Sequence, residues 1–270
     1  MPLPSPSPST ALYVDIVGKG TRLVLVHGFT QTGRSWDAVA ERLAPRHEVV
    51  LVDGPGHGRS AHVAADLGEG AALIGQVGGR ASYVGYSMGG RFCLHLALAS
   101  PQLVDALVLV GATAGIDDAG EREQRRADDR RLAERLTAQG VPAFVDEWLA
   151  GPLFARLGPA AAGRAARLEN TVEGLSSSLR LAGTGEQTPL WDRLVELRMP
   201  VLLVAGAEDA KFLALARRMQ ACIGGNAELA VIEGAGHAVH LERPDQFADV
   251  IEAFLARHPH TSRDHIEGRG

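Results

Sequence analysis

The sequence predicts an α/β protein, with a mostly parallel central sheet flanked by helices and an all-helical cap inserted into the strand order. Three observations lead there. Short apolar, β-branched runs recur along the chain, amphipathic stretches alternate with several of them, and between Gly111 and Pro200 this rhythm gives way to long Arg/Glu/Ala-rich segments.

The runs lie at 23–26, 49–52, 82–84, 106–110, 201–204 and 229–232, each too short for a helix and bounded by Gly, Asp or His. Their uniform apolarity marks strands buried on both faces, as parallel sheets require. Stretches 35–43 and 89–98 carry apolar residues at helical spacing and supply the flanking helices. In the inserted region, 121–139, 141–150 and 159–181 are helical in period and hold no strand run. Placed between two core strands, that region is expected over the carboxyl ends of the strands, where open α/β sheets bind ligands. The expected organisation is a loose tail over 1–10, a core from 11–116 and 197–270, and a helical cap over 117–196.

A length of 270 residues suits one core with an insertion, and 46% hydrophobic with 22% charged residues suits a soluble globule. No apolar run approaches the roughly 20 residues that span a bilayer, so no membrane partner is expected. Met1 to Thr10 alternate Pro and Ser without a basic start or an apolar stretch, unlike a signal peptide, which makes the cytoplasm the expected compartment. Cys93 and Cys222 are then expected as reduced thiols. A net charge of −5 with no basic stripe argues against nucleic acid. The run Ile266, Glu267, Gly268, Arg269 matches a common engineered protease site and carries no fold information.

The chemistry centres on Gly85-Tyr86-Ser87-Met88-Gly89-Gly90, a G-x-S-x-G placed directly after a strand and before a helical run. A turn this tight leaves no room for side chains two positions before and after the serine, and it exposes Ser87 Oγ at a helix N-terminus. A serine hydroxyl needs an imidazole within reach and an acid to orient it. His237 follows a strand end and the small-residue loop Gly234-Ala235-Gly236, with His240 a turn away as its competitor. His27, His57 and His95 have structural explanations, turn hydrogen bonds for the first two and helix packing for the third. Asp209 follows the strand 201–204 and precedes His237 by a strand-helix-strand interval; Glu208 is the alternative, and either also suits the N-cap of the helix that follows. Oxyanion donors are expected from the N–H groups of Met88 and of Phe29 within His27-Gly28-Phe29-Thr30. His27 lacks partners at metal-ligand spacing, so no metal is expected. Asp53 to Ser60 is glycine-rich but lacks the Lys-Ser/Thr ending of a phosphate loop, and is read as a strand-to-helix turn.

These motifs, with Arg91 after the elbow, Phe144-Val145-Asp146-Glu147-Trp148, Pro152-Leu153-Phe154, Asp209-Ala210-Lys211-Phe212 and Gly236-His237-Ala238-Val239-His240-Leu241-Glu242-Arg243-Pro244, give nearly the whole chain a resemblance to one family. It resembles the α/β-hydrolase-fold synthases of menaquinone biosynthesis that eliminate pyruvate to form 2-succinyl-6-hydroxy-2,4-cyclohexadiene-1-carboxylate. The resemblance implies a Ser87-His237-Asp209 triad that abstracts a proton and uses no cofactor. It also implies a small polycarboxylate substrate held by Tyr86, Arg91, Arg125, Trp148 and Arg167, with Arg126 as a one-residue alternative to Arg125. Arginine suits a carboxylate because its planar guanidinium donates two parallel hydrogen bonds. The competing reading is a serine hydrolase, a carboxylesterase or carbon-carbon bond hydrolase, acting through the same triad.

Overall fold

Strand sequences with apolar residues at successive positions bury both faces, and β4 (Ala81–Tyr86) and β6 (Val201–Gly206) do so at every residue. The computed structural model describes residues 11–259; the 1–10 tail and the 266–269 run lie outside them. The remaining strands are β1 (Val14–Val17), β2 (Thr21–Val26), β3 (His47–Val52), β5 (Val104–Val110) and β7 (Ala227–Ile232), joined in the order β1-β3-β2-β4-β5-β6-β7. Every pairing is parallel except β1 with β3. The α/β-hydrolase architecture expected from the sequence is the one observed, with β1 as an added edge strand.

Successive residues of a strand point to opposite faces, and the packing follows that alternation. Val24 and Val26 face a core shared with α2 (Leu67–Gly78), α3 (Met88–Ala99) and α7 (Ala210–Ile223), through Ile74, Phe92, Leu94 and Met219. Leu23 and Leu25 face the other side, against Val39 and Leu43 of α1 (Asp37–Leu43) and Phe247, Ile251 and Phe254 of α9 (Pro244–Arg257). The short α8 (Val239–Glu242) leads into α9.

Only helices and turns separate β5 from β6: α4 (Ala119–Leu149), α5 (Arg164–Arg167), α6 (Val172–Ala182) and 3-10 turns at Pro152–Phe154 and Trp191–Glu196. Gly140 (φ 77°) breaks α4 two residues before Pro142, matching the expected division between 139 and 141. The stretch 159–181, read as one helical segment, is interrupted between α5 and α6, where the Thr171 hydroxyl caps α6 by accepting from Gly174 N–H. Leu136, Val141, Phe144, Val145 and Leu175 form the insertion's own small core, and Phe29 of the loop after β2 packs against it.

Candidate active site

The serine is presented by a strained turn. β4 ends at Tyr86, α3 begins at Met88, and between them Ser87 adopts φ 52°, ψ −107°, a left-handed backbone unfavourable for a residue with a side chain. Ser87 N–H donates to Val110 O at 2.8 Å, pinning the turn to the end of β5. A Cβ on Gly85 would lie 2.5 Å from Gly89 O, and one on Gly89 would lie 2.2 Å from Val26 O. The glycines therefore allow α3 to start almost in contact with β2.

His237 stands in the loop after β7, its Nε2 3.4 Å from Ser87 Oγ and its Nδ1 2.7 Å from Asp209 Oδ2. Asp209 also N-caps α7, its Oδ1 accepting from Phe212 N–H at 3.2 Å. The Phe212 ring lies 4.3 Å from the imidazole and holds it from the side. Glu208 turns outward and pairs with Arg156 at 3.6 Å. His240 is wedged between Trp36 and Tyr86, with ring centroids 4.3 and 4.4 Å away, and burial holds its pKa well below the usual histidine value. His27 Nε2 accepts from Gly54 N–H, and His57 Nε2 accepts from Thr30 N–H. Burial lowers these two imidazoles to about 4 and about 3, so both are neutral turn braces. The Asp53–Ser60 segment is likewise a turn, with the Asp53 carboxylate accepting from Gly33 and Arg59 N–H groups.

Phe29 and Met88 both line the cavity at Ser87, and their N–H groups have no acceptor among the described residues. Next to Phe29, Thr30 has φ 67°. The inserted segment holds it there. Arg167 Nη1 donates to Thr30 Oγ1, and Asn170 Nδ2 donates to Thr30 O at 2.8 Å while its Oδ1 accepts from Gly58 N–H. From α6, Ser178 Oγ contacts Met88 Sδ at 3.4 Å.

Two cavities of about 410 and 530 Å³ meet at Ser87; both are walled by Ser87, Arg91, Arg125, Thr184, Lys211 and Phe212. Trp148 lines the larger one. Arg91, one turn along α3, donates to the carbonyls of Ala182 at 2.8 Å and Gly183 at 3.3 Å; burial and the nearby Arg125 lower its pKa to about 10. Arg125 donates from Nε to Asp129 Oδ1 at 2.8 Å. Arg126 pairs instead with Glu123 and Glu186 and lines neither cavity.

Tyr86 and Arg167 depart from the expectation, since neither lines these cavities. Tyr86 points below the site, packed on His237 and His240. Arg167 donates to Ala162 O as well as to Thr30, behind the Phe154 ring, and burial lowers its pKa to about 10. Arg167 Nη2, Tyr86 Oη and Trp148 Nε1 are buried without partners. Sequence spacing missed that Lys211 and Phe212 face the site, although both stood in the Asp209–Phe212 motif; Trp191 and Arg218 on the far wall gave no signal.

A sequence profile described as the alpha/beta hydrolase family matches residues 23–250. A Bacillus subtilis (strain 168) protein, provisionally named 2-succinyl-6-hydroxy-2,4-cyclohexadiene-1-carboxylate synthase, is 34% identical over 86% of this chain and 89% of its own. The chain belongs to this synthase family within the α/β hydrolases. Among solved structures, MenH from S. aureus superposes with a TM-score of 0.85 at 29% identity, over 92% of this chain and 99% of that one. A thermophilic esterase from Thermogutta terrifontis, in a malate-bound structure, gives 0.80 at 25% identity over 92% and 94%. The synthase and the esterase thus share one scaffold. No helix of the described residues is long and apolar enough to cross a membrane.

Proposed function

We propose that this chain is the pyruvate-eliminating synthase that forms 2-succinyl-6-hydroxy-2,4-cyclohexadiene-1-carboxylate from its enolpyruvyl precursor in menaquinone biosynthesis. The observation that carries the proposal is the pairing of an assembled Ser87-His237-Asp209 array with arginines in the cavity wall, in a chain 34% identical to a relative bearing the synthase name.

In this reading His237 Nε2 takes the Ser87 hydroxyl proton, and Asp209 stabilises the imidazolium. The Ser87 oxygen removes the ring proton α to the succinyl ketone, and the electron pair moves onto the ketone oxygen as an enolate. Phe29 and Met88 N–H groups face that oxygen in a site where the charge is poorly screened. Collapse of the enolate shifts the ring double bond and breaks the carbon-oxygen bond to the enolpyruvyl group. The departing enolpyruvate takes the proton from His237 and tautomerises to pyruvate, while Ser87 keeps the proton it took from the ring, so the enzyme returns to its starting protonation state. Arg91 and Arg125 bind substrate carboxylates, and no metal or cofactor enters the reaction.

The same side chains suit acyl transfer, and the likeness to the Thermogutta esterase favours that second reading. The two part in their products. With isochorismate and a succinyl-transferring enzyme supplying the precursor, the chain is expected to accelerate pyruvate release, and Ser87→Ala to lower it by roughly a thousandfold or more. No acceleration over the spontaneous rate, together with an acyl-enzyme burst on an activated ester, would establish the hydrolase instead.

A further inference from the structure

The polycarboxylate substrate of the proposed reaction calls for cations, and most of those around Ser87 already have partners. Arg125 is paired with Asp129, and Arg131 and Arg135 with Asp128 and Glu147. Arg218 Nη2 is 2.6 Å from Asp117 Oδ2, and its guanidinium lies 3.6 Å over the Trp191 ring. Arg91 is partly engaged by two carbonyls. Lys211, one of only two lysines in the chain, has neither a carboxylate nor a carbonyl partner among the described residues. Its Nζ lies 5.7 Å from the centroid of the Phe212 ring.

Its position is set by the triad itself. Asp209 caps α7, so the first turn of that helix puts Phe212 against His237 and Lys211 beside both cavities where they meet at Ser87. Both walls carry carboxylates, Asp118 and Glu121 on the smaller cavity and the arginine-paired Asp128 and Asp129 on the larger, so an anion is favoured where a cation without a carboxylate partner stands between them. We propose that Lys211 is the specificity-determining cation of this site, binding a substrate carboxylate at the junction of the two cavities. An ammonium on a flexible stem suits this half-open rim because it needs no fixed fork geometry.

This rests on the synthase activity proposed for the chain, and the test separates the two. Steady-state kinetics of pyruvate release are compared for wild type, Lys211→Met and Lys211→Arg at low and physiological ionic strength, with thermal melts to verify folding. A partly exposed charge contact predicts that Lys211→Met raises KM about three- to tenfold, leaves kcat within about twofold and weakens the salt dependence. Lys211→Arg is expected to restore KM to within about twofold. An unchanged KM, or a fall in kcat at constant KM, overturns the assignment. Calorimetric binding of citrate, a tricarboxylate probe, needs no turnover. It is expected to weaken at least about threefold in Lys211→Met, and equal citrate affinity in the two proteins also overturns the proposal. A wild type that binds citrate through Lys211 but releases no pyruvate removes the synthase activity and leaves the cation site standing.

Discussion

Asp209→Asn isolates the orienting acid from the rest of the site. The carboxylate makes two contacts, Oδ2 with His237 Nδ1 at 2.7 Å and Oδ1 with Phe212 N–H at 3.2 Å. An amide keeps an oxygen to cap α7 and presents its NH2 group to Nδ1. That NH2 group is a donor, so it favours the tautomer with the proton on Nε2, which then has no lone pair to receive the Ser87 proton. Loss of the tautomer and of the charge that stabilises imidazolium costs roughly a thousand- to ten-thousandfold in kcat, or about 4–5.5 kcal/mol of barrier. Because the cap survives, the folding free energy should change by less than about 1 kcal/mol. The assay is pyruvate release coupled to lactate dehydrogenase, read beside a urea melt. A kcat within tenfold of wild type, with folding intact, would refute the role of Asp209; a large loss of stability would show that capping dominates.

Two further outcomes follow from the braces around the site. His27 and His57 are held neutral in the fold by burial, at about 4 and about 3, whereas an unfolded imidazole titrates near 6.5. The unfolded state therefore binds more protons between those values, so the contribution of these two groups is fully present above about pH 6.5 and is lost as pH drops toward 4, by on the order of 1 kcal/mol per pH unit for each, with the buried His240 adding in the same direction. Urea melts at pH 7 and pH 5 measure the slope, and a flat profile would mean that these imidazoles are not desolvated. Gly89→Ala places a methyl group 2.2 Å from Val26 O, where only backbone can yield, and should cost about 3 kcal/mol or more. A melt shifted by less than about 1 kcal/mol would show that the start of α3 can move away from β2 freely.

The central strands were legible because burial on both faces leaves an unbroken apolar run. β1 was not, since its four residues are half-buried or exposed and gain their partner only from β3. α2 was also missed: glycines at 68, 70, 75 and 78 weaken its helical signal, while the capping box of Asp66 and Glu69 that starts it went unread. Ser87, Asp209 and His237 could be picked out because each follows shortly after the end of a strand, and strand ends converge on one edge of a parallel sheet. The arginines were harder. Arg125 and Arg167 both sit in the insertion, but one faces the cavity and the other turns to Thr30, a choice made by packing across the insertion and invisible in helical spacing. Lys211 was passed over for a related reason, because its direction depends on where Asp209 fixes the first turn of α7.

Asn170 gives the molecule a property that matters for anyone recombining it. One side-chain amide fastens Thr30 and Gly58, two separate loops of the core, to the inserted helices, and Arg167 adds a second tie to Thr30. The insertion is thus no interchangeable cassette. Exchanging residues between β5 and β6 for a relative's segment without this pair would leave Thr30 at positive φ with nothing from above to hold it, and the backbone of the neighbouring Phe29 would be free to shift. A graft meant to reshape the cavity would then also disturb the loop that lines it beside Ser87, so swaps on this scaffold should move Arg167, Asn170, Thr30 and Gly58 as one unit.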